Sequence, residues 1–87
     1  LTLLNDPVYV EIANAFGKRI RNEGGETLGD RIVWAFRTAL ARHPKASEIK
    51  VLKQSFERVR ESGGSTDDGY KEIATELLNL HETIHRS

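Results

Sequence analysis

The stretch DDGYKEIATELLNLHETIH, residues 67–85, carries a heptad-like apolar pattern that predicts an α-helix. The acidic pair Asp67-Asp68 suits a helix N-terminus, where the helix dipole favours negative charge. A seam of this kind needs a partner helix, and we expect that partner within the same chain. The alternative is a docking face for the rest of a parent protein or for a second copy. The seam consists of Tyr70, Ile73, Leu77, Leu80 and Ile84, with Ala74 and Leu78 beside it.

A first helix is predicted over residues 6–23, because Asp6 is a preferred N-cap and Pro7 is favoured in the first turn. The glycines at 24 and 25 end it. Gly17 lies in its interior, where glycine costs up to about 1 kcal/mol relative to alanine, so we expect a close helix contact there. The predicted apolar face comprises Tyr9, Ile12, Ala13, Phe16 and Ile20.

A second helix is predicted over residues 27–42, with Thr27 as N-cap and Asp30 three residues later. His43-Pro44 ends it, because a residue before proline avoids the α conformation. Its apolar face is wide, which indicates a central helix. The face consists of Leu28, Ile32, Ala35, Phe36, Ala39 and Leu40, with Val33 and Trp34 beside it.

A third helix is predicted over residues 46–61, with an apolar stripe of Ile49, Leu52, Phe56 and Val59. The segment at 63–66 is a glycine-rich turn. Connections of this length favour antiparallel neighbours. The predicted fold class is therefore all-α, a small bundle of four helices within a single domain over residues 1–87.

Composition narrows the possible functions. The 87 residues carry 13 basic and 13 acidic side chains, so the formal net charge is zero, whereas nucleic-acid-binding domains usually carry a basic excess. Without cysteine the chain has no disulfide, thiolate metal site or cysteine nucleophile. No apolar run is long enough to span a membrane, and no signal peptide is visible. The chain has no methionine and begins at Leu1, so we expect it to be a segment of a larger protein.

Several short motifs follow one another along the chain, at residues 4–7 (LNDP), 31–37 (RIVWAFR), 41–44 (ARHP), 47–49 (SEI) and 74–82 (ATELLNLHE). Their order and spacing resemble the C-terminal end of the planctomycete PSD1 domain, the DUF1553 family. The resemblance implies an exported, multidomain parent protein, often with cytochrome c-like haem domains, and no established activity. Lys45 stands where that family usually has a Ser or Thr cap, so we expect an irregular start to the third helix.

His81 and His85 lie four residues apart, a spacing that places two imidazoles on one helix face and could hold a transition metal. A third ligand would have to come from His43, Asp67 or Asp68. The five residues 81–85 also match the bare zinc-protease pattern His-Glu-x-x-His. We interpret that match as chance, because only two residues follow and no sheet is expected to hold a substrate.

Other candidate sites are weaker. Trp34 is expected to pack rather than to bind a ligand. The basic stretch Arg31, Arg37, Arg42 and Lys45 could suggest a DNA-binding helix-turn-helix, but the turn lacks its usual glycine. Asp67-Asp68 lacks the spaced ligands of a calcium loop.

The sequence therefore predicts a non-catalytic structural or protein-interaction module, not an enzyme. It assigns no catalytic, cofactor-binding or metal-binding residue and predicts no nucleic-acid partner. The expected partner is the upstream part of a parent protein or another protein, with a homodimer through an exposed helix face as a further possibility. The alternative function is a metal- or haem-associated module whose site is completed by the parent chain.

Overall fold

The computed structural model describes the backbone of residues 7–86 and the side chains of residues 7–83. This part of the chain contains four α-helices and no strand, which confirms the predicted all-α fold. The radius of gyration is 12.2 Å, close to the roughly 12 Å expected of a globular chain of this length. The helices are α1 (Pro7–Glu23), α2 (Leu28–Leu40), α3 (Ala46–Glu61) and α4 (Thr66–Arg86).

Helices α1 and α4 pack against each other and run antiparallel, as predicted for neighbouring helices. The Tyr9 hydroxyl near the start of α1 donates to Asn79 Oδ1 in the second half of α4, at 3.0 Å. Arg21 near the end of α1 pairs with Asp67 at the start of α4. Helices α2 and α4 each contact all three other helices, whereas α1 and α3 do not contact each other within the described residues. The wide apolar face of α2 thus places it centrally, as predicted, and α4 shares that position.

The core lies between these helices and contains most of the predicted apolar faces. Two predicted members are corrected: Ile12 is 49% exposed and Leu80 is 36% exposed. Both lie at the edge of their stripe, where the neighbouring helix does not cover them. Ile84 is outside the residues with described side chains. The buried core cluster comprises Phe16, Ile20, Ile32, Ala35, Phe36, Leu52, Tyr70, Ile73, Ala74 and Leu77.

The ends of α2 are set by local hydrogen bonds. Its N-cap is Thr27, whose Oγ1 accepts from the Asp30 N–H at 3.1 Å, as predicted. The helix ends at Leu40 instead of residue 42. Ala41 takes the left-handed conformation with φ 58° and donates its N–H to the Arg37 carbonyl, so the chain leaves the helix before His43-Pro44.

The fourth helix begins slightly earlier than predicted. Ser65, which the sequence places in a glycine-rich turn, is its N-cap. The Ser65 hydroxyl accepts from the Asp68 N–H, and the Asp68 carboxylate accepts from the Ser65 N–H. The hydrogen bond from the Ser65 N–H, and then the Ser65 side chain, lower the pKa of the Asp68 carboxyl. The predicted N-cap of the first helix, Asp6, lies outside the described residues.

The third helix starts regularly at Ala46, which corrects the expected irregular start. The Lys45 N–H donates to Glu48 Oε1 at 2.7 Å, which is the half of a capping box that the residue three positions later supplies.

Among the described residues, no helix combines the length and the apolar character that a membrane crossing requires.

Candidate protein-interaction surface

An open groove of about 520 Å³ lies between α3 and α4, above Phe36 of α2. Buried Leu52 and Leu77 form its sides, and Val51 and Leu80 form its apolar rim, 53% and 36% exposed. We call this feature the α3/α4 groove. Its lining is completed by Ser47, Glu48, Glu76, Asn79 and Thr83.

The α3/α4 groove arises because two apolar residues, Val51 and Leu80, are not covered by a neighbouring helix. Val51 directly precedes the buried Leu52 on α3. Its side chain therefore points away from the core, towards the open side of the groove. Leu80 lies one turn after Leu77 on α4, beyond the part of α4 that its neighbours cover. An apolar rim around an apolar base is typical of a protein or ligand contact surface.

The charged side chains that line the groove, Glu48 and Glu76, are both acidic. The negative charge of Glu48 is already compensated within the chain. Its two carboxylate oxygens accept hydrogen bonds from the Arg42 guanidinium, at 3.0 and 2.9 Å, and one of them also accepts from the Lys45 N–H. The Arg42 hydrogen bond and then the Lys45 hydrogen bond lower the pKa of Glu48 to about 2. Glu48 therefore stays ionised and helps to start α3.

We expect Glu48→Ala to lower the free energy of unfolding by about 0.5–2 kcal/mol, because it removes both the cap and the Arg42 pair. Glu48→Gln keeps an acceptor for the Lys45 N–H and should cost less. Since the folded pKa lies below the usual value of 4.5, this stabilisation is present above about pH 4.5 and is lost as the pH falls towards 2.

Urea unfolding of wild type and Glu48→Gln between pH 6 and pH 2.5 tests this expectation. The difference in stability should shrink as the pH falls. A difference that stays constant down to pH 2.5 would show that Glu48 ionisation does not stabilise the fold.

The surroundings of Glu76 shift its pKa in the opposite direction from that of Glu48. It is half-buried, and burial raises its pKa, partly opposed by a hydrogen bond with the buried Ser55. The negative charge of Glu72, one turn earlier on α4, raises the pKa of Glu76 further, whereas Arg58 lowers it by a weaker attraction. Glu76 is thus an acid beside an apolar surface with a like-charged neighbour.

A second open groove of about 410 Å³ lies between α1, α2 and α4. Exposed Ile12 forms part of its rim, and Val8, 62% exposed, lies one turn earlier on α1. The remaining lining residues are Ala15, Phe16, Arg19, Thr38, Ala39, Leu78 and His81.

The predicted histidine pair is described only in part. His81 is exposed on the rim of the second groove, and the His85 side chain lies outside the described residues. Asp67 and Asp68 are about 20 Å away along α4, at 1.5 Å per residue, so they cannot join His81 in one site. Among the residues with described side chains, no group of three potential ligands could hold a metal. That His81 and His85 bind no metal stays a prediction, which zinc titration of the wild type and of His81→Ala and His85→Ala variants can test.

The other candidate residues take part in packing. Trp34 is half-buried, with its ring centroid 6.2 Å from that of Phe16 and with Arg19 5.4 Å above it. Arg31 lies over the Tyr70 ring and donates to its hydroxyl at 2.8 Å. Within the basic stretch, Arg31 and Arg42 are therefore engaged with aromatic and acidic neighbours, which leaves less of that charge for a phosphate backbone.

Sequence reasoning missed the α3/α4 groove. It placed Leu80 in the core seam and gave Val51 no role. The available signal was Val51 itself, an apolar residue outside the stripe of a helix that is otherwise charged on that side.

Comparison with known proteins gives one family. The model of PSD1, described as a protein of unknown function (DUF1553), matches residues 1–56, more than half of the chain and the region that contains α1, α2 and most of α3. The motif at 74–82 lies beyond that match. No curated protein and no solved structure matches this chain.

Proposed function

Because this chain belongs to the PSD1 (DUF1553) family, whose function is unknown, we propose from its surface that it is a non-catalytic module that binds a helix of a partner polypeptide. The observation that supports this proposal is the α3/α4 groove, an apolar surface that the rest of the described chain leaves open.

The chemistry of the groove favours a helix as the occupant. A groove between two helices accepts a ridge of side chains from a third helix, and amphipathic helices bind in such grooves through residues one turn apart. Val51 and Leu80 offer apolar contacts on opposite sides of it. Glu76 in the lining complements a helix with a basic residue rather than a purely apolar ligand.

A titration with a model peptide tests the proposal. The probe is a synthetic amphipathic helix with leucines one turn apart and lysines elsewhere, added to the ¹⁵N-labelled chain. We expect saturable amide shifts at Val51, Leu52, Leu77 and Leu80. The double variant Val51→Ser/Leu80→Ser should weaken binding at least tenfold, while exposed positions of this kind change stability by only about 0.5 kcal/mol each.

The chain provides a matched control. Val8→Ser/Ile12→Ser removes two apolar side chains of similar size and exposure from α1, outside the α3/α4 groove. This variant should bind the peptide as wild type does. Absence of binding, or equal binding by the groove variant, would contradict the proposal, and loss of binding in the α1 variant alone would assign the contact to α1.

A further inference from the structure

We propose, as an extension of the proposed function, that the α3/α4 groove selects a partner helix carrying a lysine or arginine, which pairs with Glu76 beside the apolar contact.

The first argument is the balance of charge in the groove. The acidic residues that line it are Glu48 and Glu76. Glu48 already holds the Arg42 guanidinium through both oxygens, with an N···O distance of 2.9 Å in the shorter contact. Within the part of the chain that the structure describes, the ion pairs join Arg19 to Glu23, Arg21 to Asp67 and Arg42 to Glu48, and Glu76 belongs to none of them. Glu76 is therefore the carboxylate in this lining whose charge a partner can compensate.

The second argument is the repulsion between Glu72 and Glu76. Like charges four residues apart on a helix destabilise it, and Glu72 and Glu76 have this spacing on α4. A basic side chain from a partner would relieve the repulsion and replace solvent next to a half-buried carboxylate. Such a charge-assisted contact is stronger than a neutral hydrogen bond.

The third argument is the placement of Glu76 relative to the apolar contacts. Glu76 directly precedes Leu77 and lies one turn before Leu80 on α4, and all three line the same groove. When a partner helix lies along the groove with one apolar residue in contact with Leu80, the residue one turn away on that helix therefore lies beside Glu76. The groove thus recognises a combination of an apolar residue and a basic residue one turn apart.

Three peptides that differ at one position test this inference. They share the same leucines, and the residue one turn from the docking leucine is lysine, glutamine or glutamate. Fluorescence anisotropy at low and moderate salt should give the tightest binding for lysine, about tenfold weaker binding for glutamine and the weakest for glutamate. Glu76→Gln, combined with Glu72→Gln, should abolish the difference between the lysine and glutamate peptides.

The control and the contrary outcomes separate the two proposals. Glu57→Gln removes an exposed acid of α3 outside the groove lining and should retain the lysine preference. If all three peptides bind in the groove with equal affinity, the charge selection is wrong and the groove proposal stands. If none binds, both are wrong. If sedimentation shows a dimer of the chain alone that Val51→Ser/Leu80→Ser dissociates, the occupant is a second copy.

Discussion

Phe36→Ala is expected to lower the free energy of unfolding by about 3–5 kcal/mol, the range for truncating a buried aromatic residue. Phe36 is 1% exposed and lies where α2 meets α3 and α4, with the Arg42 guanidinium 4.7 Å above its ring. A domain of this length has a total stability of about 4–13 kcal/mol at 0.05–0.15 kcal/mol per residue. The variant should therefore lose a large fraction of its stability, and at the lower end of that range it would unfold in water.

Urea unfolding followed by circular dichroism measures this loss. Val51→Ala is the matched control, because Val51 lines the same groove but is 53% exposed and should cost well under 1 kcal/mol. If Phe36→Ala does not fold, Phe36→Leu should still fold, with a loss of about 1–2 kcal/mol. A loss below 1 kcal/mol for Phe36→Ala would contradict the packing of α2 described above.

Gly17→Ala has the second largest expected effect, a destabilisation of about 1–3 kcal/mol from overpacking. A Cβ atom at this position would lie 3.0 Å from the Lys71 backbone nitrogen and 3.2 Å from the Tyr70 carbonyl carbon. The neighbour is helix backbone, which cannot rotate away as a side chain can. The unfavourable contact therefore outweighs the gain of up to about 1 kcal/mol that alanine brings to a helix interior.

Gly29→Ala is the control for helix propensity. A Cβ atom there would meet the flexible end of Lys53 at an ordinary 3.7 Å, so this variant should be neutral or slightly stabilised. In thermal unfolding, the midpoint temperature of Gly17→Ala should fall below that of the wild type, whereas that of Gly29→Ala should be unchanged or slightly higher. A stabilised Gly17→Ala would show that α1 and α4 separate easily at this point.

Local patterns in the sequence were sufficient to predict the four helices and many of the residues that form the core. The N-cap at Thr27 could be predicted from the sequence, because the hydroxyl of an N-cap residue needs only a backbone N–H two or three residues later. Gly17 correctly indicated a close helix contact, since a glycine inside a helix is unfavourable without a packing reason. The regular start of α3 was missed because the stabilising carboxylate of Glu48 lies three positions after the cap residue and accepts from its N–H.

What the sequence determined by itself is the number of helices and their apolar faces, because periodicity, caps and short connections act over a few residues. Tertiary structure alone decided which edges of those faces stay open. Ile12 and Leu80 obey the helical period and yet are exposed, while Val51 joins them as part of an open rim. The period of a helix sets the direction of a side chain, but only the position of the neighbouring helix decides whether that direction leads into the core or into a groove.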